Sequence, residues 1–354
     1  MRKFKIKDKT ITHESNPYTI MEIGVNHENS MEIAEKLIID AKKSGADAVK
    51  FQTYKADKIA SVNSPSYWDL KEVPTDTQYK LFKKYDKFNE EDYIKLYQLC
   101  KKHNIEFIST PFDEDAVDFL DPLLNIYKIS SSDITNLQLL KKVAEKNKPI
   151  ILSTGASNMD EIKFSFNYIQ KYSNADISLL HCILNYPTND YEVNLNMIKN
   201  LEDEFPNTII GFSDHTYAKD DMRIILFSYI AGARIIEKHF TYDKNLKDND
   251  HFHSMDKSDL QIFYKQLNEI QKIMGNYRKV CIESEMVSRK NARRSLVLKK
   301  DLSPNELIQN NHLISKRPES GIPSSKINEV VGRRVNKSLK KDHILQWQDI
   351  SSEN

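Results

Sequence analysis

From Tyr18 onward, short apolar runs recur about every thirty to forty residues, and nearly every one closes on a polar side chain suited to catalysis. Tyr18–Ile23 carries Glu22, Ala48–Phe51 carries Lys50, and Glu106–Ser109 runs into Thr110. Ile126–Ile129 carries Lys128 and leads to Ser131, Ile150–Leu152 ends at Ser153, and Ile177–Leu180 ends at His181. Thr208–Phe212 leads to Ser213, Asp214 and His215, and Arg234–Ile236 ends at Glu237, Lys238 and His239. The segments between have helical periodicity and punctuation. Ser30 precedes Met31–Lys43, whose Ile33, Ala34, Leu37, Ile38 and Ala41 share a face that ends at Gly45. Asn89 caps a helix through Cys100, with three acids in its first turn, and Asp113 opens another. Asn136–Lys146, Met159–Tyr172, Leu195–Glu204, Asp220–Ala231 and Lys257–Met274 follow. Strand then helix, eight times over, predicts a parallel α/β sheet closed as a (β/α)₈ TIM barrel. Such barrels do their chemistry at the C-terminal ends of their strands, where these polar residues fall.

Two stretches depart from the pattern. Residues 54–87 separate the second strand from its helix and contain Tyr67, Trp68 and Tyr79. A connection that long reads as a binding loop, or as a surface elaboration with its own small apolar cluster. After Gly275 the alternation stops. The expected organisation is a barrel over 1–275, a linker over 276–291 and a small domain over 292–354. The last holds short strand-like runs such as Ser295–Leu298 and Ile344–Trp347 between turns at Pro304, Pro318 and Pro323. About sixty residues bury little core, so this domain is expected to lean on a barrel. Its basic stretch, Arg289, Lys290, Arg293, Arg294, Lys299 and Lys300, reads as a solvated or intersubunit face, with nucleic-acid binding as the alternative.

Composition narrows the class. The chain has 354 residues, 39% hydrophobic and 29% charged, as in a soluble globular protein. A net charge of +1 gives no global field toward nucleic acid or membrane, so neither is an expected partner. Cys100, Cys182 and Cys281 are odd in number and widely spaced, which predicts a reducing, cytoplasmic compartment. No apolar run approaches the ~18–20 residues of a membrane span, and the basic start lacks the apolar stretch of a secretory signal.

The candidate chemistry falls into two groups. His215 and His239 follow neighbouring strands, so both imidazoles can face one point above the barrel. Glu237 shares the side of His239, and Asp250 lies in the next loop. That donor set suits an open N/O centre for Mn²⁺, Mg²⁺ or Fe²⁺ rather than structural Zn²⁺. His251 and His253 read as loop residues within reach of it. Lys50, Lys128, Ser131, Ser153 and Ser213 form the second group. Lysines inside barrel strands are costly unless an anion meets them, so these suit a small phosphorylated or carboxylated ligand. A Schiff base on one lysine, or ion pairing to Glu22 or Glu237, are the competing readings. Glu22, beside Asn26 and His27, is a candidate general base or sugar-hydroxyl ligand, and Asn185 and Tyr186 could hold a polar substrate. Packing is the alternative for His181 and Cys182.

The motifs Met21-Glu22-Ile23-Gly24-Val25-Asn26-His27, Ala48-Val49-Lys50-Phe51-Gln52, Ser109-Thr110-Pro111-Phe112-Asp113, Ser153-Thr154-Gly155, Gly211-Phe212-Ser213-Asp214-His215-Thr216 and Glu237-Lys238-His239-Phe240-Thr241 stand in an order that resembles the sialic acid synthase family. Arg293-Arg294-Ser295 and Lys316-Arg317-Pro318 look like that family's C-terminal antifreeze-like (SAF) domain. The resemblance covers nearly the whole chain. It implies a metal-dependent condensation of phosphoenolpyruvate with an N-acylated hexose, N-acetylmannosamine or a 2,4-diacetamido-6-deoxyhexose, in a domain-swapped homodimer. By position it implies His215 and His239 as ligands of Mn²⁺ or Mg²⁺. It implies Lys50, Thr110, Lys128, Ser131, Ser153 and Ser213 around phosphoenolpyruvate, with Glu22, Lys50, Lys128 and Glu237 as catalytic residues. Glu22, Asp133, Asn185, Tyr186 and Asp250 would face the sugar, joined by Arg317 from the partner subunit. The chain departs from the family pattern at Asp133, Leu184, Asp248-Asn249 and Glu319, positions expected near the sugar, which leaves N-acetylneuraminate, legionaminate and pseudaminate open as products. Another phosphoenolpyruvate-condensing enzyme, an aldolase and a non-catalytic polysaccharide-assembly protein are the alternatives on the same fold.

Overall fold

The computed structural model describes residues 2–68, 70–71 and 73–352. They form two units, residues 1–273 and 274–354. The first opens with a hairpin, β1 (Lys3–Ile6) and β2 (Lys9–Thr12), which the sequence pattern did not reveal because its alternation spans only four residues a strand. Eight parallel strands follow: β3 (Tyr18–Gly24), β4 (Ala48–Thr53), β5 (Glu106–Pro111), β6 (Tyr127–Ile129), β7 (Ile150–Ser153), β8 (Ile177–Cys182), β9 (Ile210–Asp214) and β10 (Ile235–His239). Their order is β5-β4-β3-β10-β9-β8-β7-β6, so the first and last barrel strands pair, and β5 and β6 adjoin at the remaining seam. This is the expected (β/α)₈ barrel. All but β6 run one to three residues beyond the apolar stretch that announced them, which places Thr110, Ser153, Ser213 and His239 within the sheet, while Ser131 and His215 fall just after their strands.

Met31–Lys43 and Lys257–Met274 stand as expected, the helix capped by Asn89 runs two residues past Cys100, and those expected from Asn136, Met159, Leu195 and Asp220 are shorter. Asn89 and Asn158 each form a reciprocal capping box with the acid three residues on, at the heads of Glu90–Lys102 and Met159–Gln170. The helix expected from Asp220 begins at Arg223, because Met222 has a left-handed backbone, φ 44°. The long connection at 54–87 contains two helices of its own, Ala56–Ile59 and Gln78–Tyr85.

Side-chain parity sorts the barrel. Met21, Ile23, Val49, Phe51, Tyr127, Ile129, Leu179, Phe212 and Ile236 point outward into the layer shared with the helices. Tyr18, Ile20, Ala48, Ile108, Ile126, Ile151, Leu180, Ile209 and Ile235 fill the interior, and Phe4, Ile6 and Ile11 of the hairpin belong to the same cluster and close its N-terminal end. The second unit has β11 (Ser295–Leu298) antiparallel to β12 (Leu313–Lys316). It builds a core of its own from Leu296, Leu298, Leu302, Ile308, Leu313, Ile322 and others, more than its length suggested. Ile344 bridges to Val297, and Trp347–Asp349 is a short 3₁₀ turn rather than strand.

Candidate active site

Two residues beyond the apolar floor, the barrel interior turns polar. Ile20 gives way to Glu22, Ala48 to Lys50, Ile108 to Thr110, Ile126 to Lys128, Ile151 to Ser153, Leu180 to Cys182 and Ile235 to Glu237, the step that keeps a side chain on one face of a strand. On β9 the corresponding position is Gly211, and Ser213 follows. A Cβ at Gly211 would come within 2.4 Å of the Ile235 carbonyl oxygen, so only glycine lets these strands approach there.

Four charged groups meet in this ring. Lys50 Nζ lies 2.7 Å from Glu22 Oε2 and 3.8 Å from Glu237 Oε1, and it donates to Thr110 Oγ1 at 3.1 Å. Lys128 Nζ lies 3.7 Å from Glu237 Oε1 and donates to Ser153 Oγ at 2.7 Å. Ser213 donates to Glu237 Oε1 at 3.2 Å, and Gln52 Nε2 donates to Glu22 Oε1 at 2.8 Å. Burial alone would lower the Lys50 pKa, but Glu22 and Glu237 outweigh it and raise it. Burial would raise Glu237, yet Lys128 and Lys50 pull it down, whereas burial keeps Glu22 raised against its single lysine. Glu237, placed between two ammoniums, is thus the carboxylate held ionised, and Glu22 is the one readier to take a proton. Burial lowers Lys128.

The hydroxyls gather beside Lys128. Ser131 sits in the turn Ser131–Asp133, and a Cβ on Gly155 would meet Ser131 Oγ at 3.0 Å and Cys182 Sγ at 2.8 Å. The glycine keeps open a hollow lined by hydroxyl and thiol. Cys182 thus belongs to the interior, while His181, one residue earlier, points outward and bonds the Val193 carbonyl at 2.7 Å, which makes it a packing residue.

Imidazoles collect at the barrel mouth. His215 and His239 ring centroids are 5.7 Å apart. His215 Nδ1 bonds the Ile183 carbonyl oxygen at 2.7 Å, which fixes the ring and leaves Nε2 for another partner. Burial depresses the His215 pKa to about 4 and that of His239 well below its usual value, so both are neutral, as ligands must be. Asp250 Oδ2 is 3.4 Å from His239 Nδ1; burial, with Glu22 adding, pushes its pKa up to about 7. His253, expected as a loop residue within reach of the site, packs beside His239, their ring centroids 4.8 Å apart. One donor atom each from His239, Asp250 and His253 lies within 4.8 Å of the others. His251 instead bonds Thr241 Oγ1 at 2.7 Å, outside this group. The buried nitrogens of His239 (Nδ1) and His253 have no hydrogen-bond partner, which is what a divalent cation would satisfy; the residues present fit one.

Above the ring lies a cavity of about 320 Å³. Of the residues expected to face a sugar, Asp133, Tyr186 and Asp250 line it, with His239 beside them; Glu22 lies in the ring and not in the lining, and Asn185 is exposed, while Leu184 beside it lines the wall. The 54–87 connection supplies much of that wall through Tyr54, Ile59, Tyr67, Trp68 and Phe82. It also makes a satellite apolar cluster in which Tyr54 and Tyr85 pack with Val25, as the surface-elaboration reading expects. Trp68 Nε1 donates to the Val73 and Thr75 carbonyls, and Tyr67 packs edge-on against Trp68, which stiffens the wall. Arg317 belongs to the second unit, exposed beyond β12. A larger hollow of about 610 Å³ opens by the hairpin, but its Lys7 and Lys9 are already paired with Glu106 and Asp47.

A closed barrel with charged residues inside and imidazoles at its C-terminal mouth defines a barrel enzyme. The chain belongs to the NeuB family, whose model matches residues 37–279, and a SAF domain matches 293–351. It is 40% identical over 332 residues to an N,N'-diacetyllegionaminic acid synthase of Campylobacter jejuni, covering 92% of this chain and 98% of that protein. It is 37% identical to the Legionella pneumophila protein of the same name, covering 95% of each. A crystal structure of an N-acetylneuraminic acid (sialic acid) synthetase from Leptospira borgpetersenii, in complex with citrate, superposes with a TM-score of 0.72 at 30% identity, over 81% of this chain and 95% of that one. The protein is accordingly a transferase-type synthase. No helix among the described residues is long and apolar enough to cross a membrane.

Proposed function

We propose that the protein joins phosphoenolpyruvate to an N-acylated hexose, releasing phosphate and giving a nonulosonic acid, and that its acceptor is a 2,4-diacetamido-6-deoxyhexose rather than N-acetylmannosamine. The observation that carries the reaction is the ring of two buried lysines among hydroxyls, in which Lys50 and Glu237 stand two strand residues before Gln52 and His239, which line the cavity. Lys50 and Lys128, with Thr110, Ser131, Ser153 and Ser213, hold the phosphate and carboxylate of phosphoenolpyruvate. The methylene carbon of phosphoenolpyruvate forms a bond to the aldehyde carbon of the open-chain sugar. Water adds at the adjacent carbon, and the bond from that carbon to the phosphate oxygen breaks. The lysines stabilise the charge on the departing phosphate. Glu22, whose environment favours proton uptake, exchanges the proton with water or with the new hydroxyl. His215 and His239 hold a divalent cation, which would supply Lewis-acid polarisation of the aldehyde oxygen.

The acceptor assignment rests on the wall. Tyr54, Ile59, Tyr67, Trp68 and Leu184 present apolar surface where a second N-acetyl methyl and a C6 methyl bury favourably, each worth roughly 0.8 kcal/mol per carbon. A C6 hydroxyl gains nothing there. The two N,N'-diacetyllegionaminic acid synthase relatives support the same choice. Phosphate release should be measured with phosphoenolpyruvate, a divalent cation and each sugar in turn. The diacetamido sugar should have the higher kcat/KM; equal or better turnover of N-acetylmannosamine would refute the acceptor assignment, and no release with any N-acyl hexose would refute the reaction. Borohydride trapping of substrate carbon on Lys50 or Lys128 would instead support an imine mechanism.

We also propose a domain-swapped homodimer in which Arg317 serves the partner's site. The support is the connector, where Tyr277, Val280, Ile282, Met286 and Val287 are all exposed, apolar surface that a second chain would cover.

A further inference from the structure

We propose that His253 is a third imidazole ligand of the cation held by His215 and His239, so that the centre selects a borderline ion such as Fe²⁺, Co²⁺ or Zn²⁺ over Mg²⁺. This rests on the metal reading above and goes beyond it in ligand set and ion preference.

His253 is fully buried, and neither of its ring nitrogens has a hydrogen-bond partner. A buried imidazole left so is costly, and the great majority of buried polar atoms are satisfied, so something absent from the bare chain must meet it. What faces it is a donor set. Its ring centroid is 4.8 Å from that of His239, and its Nε2 is 4.0 Å from Asp250 Oδ1. The 3.4 Å between His239 Nδ1 and Asp250 Oδ2 is the edge expected of a tetrahedron of ligands at about 2.1 Å from one ion. One donor atom each of His239, Asp250 and His253 lies within 4.8 Å of the others, while His215, its ring centroid 5.7 Å from that of His239, stands outside that group and would have to approach it to share the ion.

The backbone carrying His253 is fixed in place. Ser254 Oγ donates to the Asp250 carbonyl at 2.6 Å and accepts from Asn26 Nδ2 at 3.1 Å, tying the turn to the loop after β3. A ligand on an anchored turn is preorganised. Adding an imidazole to two others shifts a site from ions that prefer oxygen donors toward those that prefer nitrogen.

The test uses the full chain stripped of metal and then loaded with single ions. X-ray absorption on the Co²⁺ form of the unsubstituted protein should count three imidazoles; two or fewer overturns the proposal without any variant. Calorimetry should then compare Co²⁺, Zn²⁺ and Mg²⁺ binding to the parent, His253→Ala, His253→Asn and His239→Ala, with melting curves of each metal-free form. Loss of about 100-fold in Co²⁺ and Zn²⁺ affinity in both His253 variants, with Mg²⁺ affinity nearly unchanged, supports it. Unchanged Co²⁺ affinity in the His253 variants, with binding lost in His239→Ala, overturns this inference and leaves the two-histidine centre standing. No binding of any ion by the parent protein would instead remove the metal reading on which it rests.

Discussion

Replacing Lys50 with Met removes one cation from a buried group of two lysines and two glutamates. Glu237 keeps Lys128 at 3.7 Å, but Glu22 loses its only ion-pair partner in the ring, at 2.7 Å, and keeps Gln52 alone. Leaving a buried charge uncompensated costs about 3–5 kcal/mol. Glu22 has a cheaper escape, which is to take a proton. From an ordinary carboxyl value of 4.5, holding the proton at pH 7 costs about 3.4 kcal/mol, and at pH 5.5 only about 1.4 kcal/mol. The variant should therefore melt roughly 7–14 °C below the parent at pH 7, at about 2–4 °C per kcal/mol, and less than half as far below it at pH 5.5. Adding Glu22→Gln should recover most of the pH 7 loss, because the amide needs no counter-ion, while synthase turnover stays absent in both variants. Melting of the metal-free proteins at the two pH values, with phosphate release at pH 7, reads out all of this. A deficit as large at pH 5.5 as at pH 7, or no rescue by Glu22→Gln, would show that the lysine acts through packing and that the ion-pair reasoning is wrong.

His215→Ala and His239→Ala should each abolish turnover while leaving the circular-dichroism spectrum unchanged. Chelation should silence the parent and a divalent ion restore it; full turnover of metal-free protein would contradict the site. Mixing inactive Arg317→Ala with inactive His215→Ala under subunit exchange should recover about a quarter of parental activity, since half the dimers are mixed and each has one intact site. No recovery despite proven exchange would place Arg317 in its own chain's site or in none. His27 is buried and stacked on Phe88, and burial depresses its pKa from 6.5 to about 4. Above pH 6.5 it is neutral folded or unfolded, whereas between 6.5 and 4 only the unfolded chain binds the proton. Stability is therefore lost as pH falls through that window, by about 3 kcal/mol for this group. His27→Phe, which keeps the stack, should flatten the acid limb of a melting-temperature profile by that amount; an unaltered limb would exclude His27 as a source.

The barrel was legible because parallel strands buried on both faces give apolar runs, and the helices between them carry their own caps. The ring was legible for the same reason. A strand's two-residue period puts Glu22, Lys50, Lys128, Ser153 and Glu237 on the face of the apolar residues two positions earlier, so a local reading located them. The hairpin at 3–12 escaped because its value lies in closing a barrel end that exists only after folding. His253 and the wall from residues 54–87 were undecided for a similar reason. Both lie on irregular connections, where no period says which way a side chain turns, and each acquires its place only by packing against residues distant in the chain: His253 beside His239 and Tyr186, Tyr67 against Tyr186. Asn185 and Leu184 make the point in reverse. Adjacent in sequence, they were divided between solvent and cavity by the path of one loop. The sequence alone determined which residues carry the charge and which strand ends present them; tertiary packing decided which loop residues join them, because loop direction is set by long-range contacts that local periodicity does not encode.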